Sequence, residues 1–150
     1  MGLWPTAKKM KTENSYVYFS LSGDNFNPES VTTRLDITPT EIWKKGEIGK
    51  YRQQLDFACW NFSTDKRKTE LIVDNLVNEI INKLFEKVEI INELKSQYQL
   101  ESTLEIVLYV ETNPDESTPT LGFDSKTIEF LYLTKTKVDV DIYRLNSEAT

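Results

Sequence analysis

Histidine is absent from the 150 residues, and cysteine occurs once. Without histidine there is no Ser–His or Cys–His nucleophile pair, no ordinary general base near neutral pH, and no imidazole for a transition metal. Cys59 alone forms no intramolecular disulfide and supplies no paired-cysteine zinc spacing. It lies between Ala58 and Trp60 in a strand-like apolar stretch, and is read as a small buried hydrophobe. Long hydrophobic runs are missing as well. The longest, Ile106–Val110, is far short of the ~20 residues that cross a bilayer. Residues 1–11 mix Trp4 and Pro5 with Lys8, Lys9 and Lys11 and have no apolar core of the kind a secretory signal carries. The expectation is a cytoplasmic, reducing location without membrane contact, and folding without metal or cofactor.

What is present is ordinary for a globular chain: 39% hydrophobic and 28% charged residues. A chain of this length forms one domain that buries about 68–70% of the surface exposed when unfolded. The net charge of −6 is unevenly spread. Residues 1–68 carry 11 Lys+Arg against 8 Asp+Glu, and residues 69–150 carry 7 against 16. An acidic half repels phosphate backbones and attracts basic partners, which disfavours nucleic acid.

Residues 1–14 are lysine-rich without periodicity and are read as a flexible tail, and residues 146–150 as a loose end. Between them lies a single domain over residues 15–145. Tyr16–Leu21 has strand composition and stops at the turn signal Ser22-Gly23-Asp24. Asn27 is placed to cap a short helix with Pro28 at its first position, and Pro39 ends that region. Residues 40–44 and 55–63 are predicted to pair through a loop holding Gly46 and Gly49. Thr69 is predicted to cap a long amphipathic helix reaching Tyr98, with Leu71, Ile72, Leu76, Ile80, Leu84, Val88, Ile91 and Leu94 as its apolar stripe and a kink near Glu89–Asn92. Residues 104–111 form a strand. Asp124 is placed to cap a second short helix with Ile128 and Leu131 inward, and residues 137–145 alternate as a closing strand.

The predicted fold class is therefore α+β: a two-layer sandwich with a mostly antiparallel sheet of 4–5 strands, one long and two short helices, and a ferredoxin-like β-α-β-β-α-β core extended by an α-β unit. If the helices cover one sheet face, period-2 alternation puts Tyr16, Tyr18, Glu105, Tyr109, Glu111, Asp139, Asp141 and Tyr143 on the other. Tyrosines offer contact area at low entropic cost, and carboxylates select cations. Open sheets that stack RNA bases have a similar layout with the opposite charge.

Several of these residues, taken in order, resemble a bacterial family known only as domain of unknown function 4279. The resemblance rests on Ser20-Leu21-Ser22-Gly23-Asp24-Asn25-Phe26-Asn27-Pro28-Glu29, on Ile37-Thr38-Pro39-Thr40 with Trp43 and Gly46, on Trp60, on Thr118-Pro119 ahead of Leu121, and on Asp139-Val140-Asp141-Ile142-Tyr143. It implies a compact bacterial α+β domain without an assigned activity, so no catalytic residue is carried over. The matching residues also have structural explanations: positive φ at Gly23, helix start at Pro28, helix stop at Pro39, and core-filling Trp43 and Trp60.

The leading functional expectation is a non-enzymatic protein-binding domain that meets a basic, toxin-like protein through its acidic, tyrosine-bearing face, as an immunity protein does. The alternatives are a housekeeping or regulatory interaction domain, monomeric or homodimeric through the long helix, and a hydrolase working through carboxylates. Asp139 and Asp141 lie on one side of a strand, ~6.5–7 Å apart by strand rise. Such a pair can hydrolyse glycosides, but alternating acids on a last strand more often guard an edge. A calcium or magnesium site in the Asn113–Glu116 loop lacks the EF-hand spacing.

Overall fold

The first strand, β1 (Tyr16–Gly23), alternates strictly, with Val17, Phe19 and Leu21 fully buried. The computed structural model of the protein describes residues 13–146. Except for Glu13, Asn14 and Asn146, the tail and loose end expected from the sequence lie outside the described residues. β1 ends where Gly23 passes against Leu100. A Cβ at Gly23 would lie 2.7 Å from the Leu100 side chain, so any larger residue there would force that side chain to shift. The expected positive φ is found instead at Gly46 (95°).

Helix α1 (Pro28–Leu35) starts as its residues dictate: the Asn27 side chain accepts from the Glu29 amide at 3.1 Å, and Pro28 occupies the first turn. β2 (Glu41–Trp43) and β3 (Ala58–Ser63) pair antiparallel. Trp60 on β3 is fully buried, and its indole N–H donates to Thr32 Oγ1 at 2.9 Å. Trp43 departs from the expected core role. It is half-buried and meets Phe57 edge-on, with ring centroids 5.5 Å apart.

Helix α2 (Val73–Leu84) begins four residues later than the predicted cap. Residues 71–73 are engaged elsewhere: the Thr120 amide donates to Leu71 O and the Val73 amide donates to Thr120 O, both at 2.8 Å. That bridge holds the backbone extended, and Ile72 is left 52% exposed, outside the apolar stripe. The Thr69 hydroxyl donates to Asn14 Oδ1 at 3.0 Å rather than capping the helix. The break comes at a tight 3₁₀ turn over Phe85–Lys87, earlier than the expected kink, before α3 (Val88–Tyr98) resumes. Leu76, Val77, Ile80, Ile81, Leu84, Ile91 and Leu94 all reach the core.

β4 (Glu101–Glu111) lies between β1 and β5 (Lys137–Leu145). Helix α4 (Ser125–Thr134) connects them, and Asp124 caps it by accepting from the Thr127 amide at 2.8 Å. Its buried side differs from the one expected. Thr127, Phe130 and Thr134 point inward, Leu131 packs at the core's margin, and Ile128 is 56% exposed. Phe130 sets this rotation by seating its ring edge-on against Phe19, with centroids 5.8 Å apart. Lys95 on α3 ties the end of α4 down, donating to the Thr134 carbonyl and to Ser102 Oγ.

The sheet order is β2-β3-β1-β4-β5, antiparallel throughout except for the parallel β4–β5 pair. The first four strands have the ferredoxin-like arrangement, and α4 with β5 is the added unit. Among the described residues no helix is long and apolar enough to cross a membrane. Among the described residues, helices back one face of the sheet and no element covers the other. In denaturant unfolding, Ile80→Ala and Leu84→Ala are each expected to cost ~2–5 kcal/mol, whereas Ile128→Ala should stay within about 0.5 kcal/mol. Losses below ~0.5 kcal/mol at both core positions would contradict this layering.

Candidate functional site

The uncovered face is organised by strand register. Tyr18 on β1 aligns with Glu105 on β4, and Glu105 aligns with Asp139 on β5. One row on, Tyr16 aligns with Val107 and Val107 with Asp141, and beyond it Tyr109 aligns with Tyr143. Seven of the eight residues expected on this face thus form one contiguous group. Glu111 lies at its end beside Leu145, where its carboxylate accepts from the Asn113 amide.

The tyrosines are paired. Tyr16 and Tyr18 stack with centroids 6.1 Å apart, and Tyr109 and Tyr143 with centroids 5.3 Å apart. Val107, between the two pairs, is only 4% exposed although no described helix lies above it.

The acids lie beside these pairs. One carboxylate oxygen from each of Glu105, Asp139 and Asp141 falls within 4.8 Å of the other two. The aspartates are exposed, but Glu105 is 8% exposed and its Oε2 is buried without a hydrogen-bond donor. Among the described residues no lysine or arginine comes within ion-pairing distance of the three. Burial first, then hydrogen bonding and repulsion from Asp141 and Asp139, push the Glu105 carboxyl up to about 8. At neutral pH its protonated form is therefore favoured. Burial, followed by the charge of Glu105, also raises the Tyr18 phenol.

Sequence reasoning missed the β2–β3 side of this face. Tyr16 and Tyr18 share a cavity of about 160 Å³ with Glu41, Trp43, Asn61 and Lys66. The Lys66 ammonium stands 4.4 Å from the Tyr16 ring centroid. The one signal for this in the sequence was the alternation Glu41–Trp43, which places both side chains on the same face. Cys59 also belongs to this side. Burial pushes its thiol up to about 11, and Ser20 and Asn61 lie within 3.2 Å of its sulfur. A thiol so held is a poor nucleophile. Chemically, the face offers cation binding and aromatic contact.

A folded-state value above the ordinary 4.5 means that Glu105 favours the folded chain in acid, and that this contribution fades as pH rises through about 8. Glu105→Gln keeps the shape and removes the titration. It is expected to flatten the fall in unfolding free energy between about pH 4.5 and about pH 8, measured by urea unfolding across that range. An unchanged slope would show that Glu105 is ionised throughout.

No curated protein and no solved structure matches the chain. A family model described as a domain of unknown function, DUF4279, matches residues 12–145, nearly its whole length. The strand that carries Asp139, Asp141 and Tyr143 lies inside that match, and the chain belongs to the DUF4279 family.

Proposed function

We propose that the protein is a non-catalytic binding domain whose uncovered sheet face receives a basic protein partner. The observation that supports this reading is the convergence of Glu105, Asp139 and Asp141 beside two stacked tyrosine pairs, with no basic side chain of the described chain to neutralise them. Carboxylates without internal partners attract a cationic surface and steer its approach. The tyrosines beside them supply contact area, as aromatic anchors do at protein interfaces. A bacterial immunity protein that neutralises a cationic toxin is the biological setting we favour. A toxin-like reading frame beside the gene would support it, and an orphan gene would favour a housekeeping or regulatory interaction domain.

The test uses a partner co-purified from the native host. Association is expected to slow with salt, because the Debye length falls from ~10 Å at 0.1 M to ~3 Å at 1 M. Asp139→Lys combined with Asp141→Lys should weaken binding at least about tenfold, or ~1.4 kcal/mol, with little change in stability because both side chains are exposed. Tyr143→Ala should raise the dissociation rate with little salt dependence. An acidic partner, or affinity untouched by charge reversal, would place the interface elsewhere.

A further inference from the structure

We propose that Glu105, Asp139 and Asp141 form a binding site for one calcium ion on the uncovered face of the sheet. Three exposed acids would not carry this inference, since acidic side chains gather on many surfaces. Glu105 is different. Its side chain comes from the central part of β4, and its Oε2 is buried without a hydrogen-bond partner. A buried carboxylate oxygen without a donor is destabilising. Its near neighbours are two further carboxylates, which add acceptors and no permanent donor. A cation at their common centre satisfies all three groups together.

The backbone fixes this geometry. β4 and β5 run parallel, with Glu105 aligned to Asp139 and the next outward position, Val107, aligned to Asp141. One aspartate thus stands opposite the glutamate and the other two residues further along the same strand, and the ligand set is carried by paired strands rather than a loop. The exposed sides of Asp139 and Asp141 leave the outer hemisphere of an ion open to water.

Donor chemistry selects the class of ion. All three ligands are hard carboxylate oxygens, with no nitrogen or sulfur among them, which suits calcium, magnesium or manganese rather than zinc or copper. Coordination geometry narrows the choice. The three oxygens lie within 4.8 Å of one another, so a point equidistant from them in their plane is at most about 2.8 Å from each. Calcium–oxygen bonds run at about 2.3–2.6 Å and magnesium–oxygen bonds at about 2.0–2.1 Å. Calcium tolerates an irregular shell of carboxylates and waters, whereas magnesium demands a near-ideal octahedron.

This inference goes beyond the partner reading and departs from the expectation of a metal-free protein drawn from the sequence. Three carboxylates outnumber the charge of one calcium ion, so the loaded face remains acidic. The test needs only the protein and a metal salt, and its failure would leave the partner reading standing.

Chelator-treated protein is titrated with calcium chloride by isothermal calorimetry, with thermal unfolding followed at matched ionic strength. One saturable site and a rise in Tm are expected, with affinity in or above the about 10⁻⁴–10⁻³ M class of weak calcium modules. Magnesium should bind at least about tenfold more weakly, the same 1.4 kcal/mol step. Glu105→Gln and Asp141→Asn should each weaken calcium binding at least about tenfold. Asp115→Asn, in the exposed 113–119 loop, should leave it unchanged. If Glu105→Gln fails to fold, Asp141→Asn at its exposed position carries the test. The proposal is overturned by no saturable uptake up to about 10 mM, an order above the weakest class, by a Tm rise that potassium chloride reproduces, or by wild-type affinity in the folded variants.

Discussion

β4 lies between an antiparallel neighbour, β1, and a parallel one, β5, and the two faces of its eleven residues carry opposite chemistries. Leu104, Ile106 and Leu108 point into the core beneath the helices. Glu105, Val107 and Tyr109 point the other way. A strand's side chains alternate with a period of two, so a slip of one residue would exchange every side chain between faces. The burial of the inward set therefore holds the outward set in place. Glu105 is kept on the uncovered face by the apolar residues on either side of it in the chain, and the position of the candidate site is a consequence of core packing.

The same strand accounts for the electrostatic tension at that site. A glutamate with a mere 8% of its surface exposed, facing two aspartates and no described base, is unfavourable as a free anion. The chain by itself resolves this with a proton. Binding a cation from outside resolves it in another way, through a partner's basic surface in one functional proposal and through a metal ion in the other. Across β1, Lys66 on the Tyr16 ring and the cavity beside Trp43 give the other half of the face a different character. A partner spanning both halves would meet an acidic side and an aromatic one.

The added unit is less completely buried than the ferredoxin-like core. Val140 and Ile142 face the helix side of β5 yet are 40% and 62% exposed. Helix α4 is anchored through Phe130 over β1 and through the Lys95 tie to α3, so the helical layer sits mainly over the sheet's centre. The acidic strand therefore forms the margin of the sheet, where its aspartates meet solvent on one side and Glu105 on the other.

The element order, the fold class, the capping of α1 and α4 by Asn27 and Asp124, and the sharing of one face by the tyrosines and carboxylates were all legible in the sequence. These follow from local chemistry: proline and capping residues act within a turn, and periodicity assigns a face wherever one side is buried. The late start of α2 was hidden because the competing partner of residues 71–73 is Thr120, distant in the chain. The outward turn of Ile128 was hidden because Phe130 packs on Phe19, a contact made only in the folded molecule. Asp139 and Asp141 could be paired by their spacing alone. That Glu105 joins them, and loses its water in doing so, was decided by the parallel register of two strands separated by a loop and a helix, which no local property of either strand specifies.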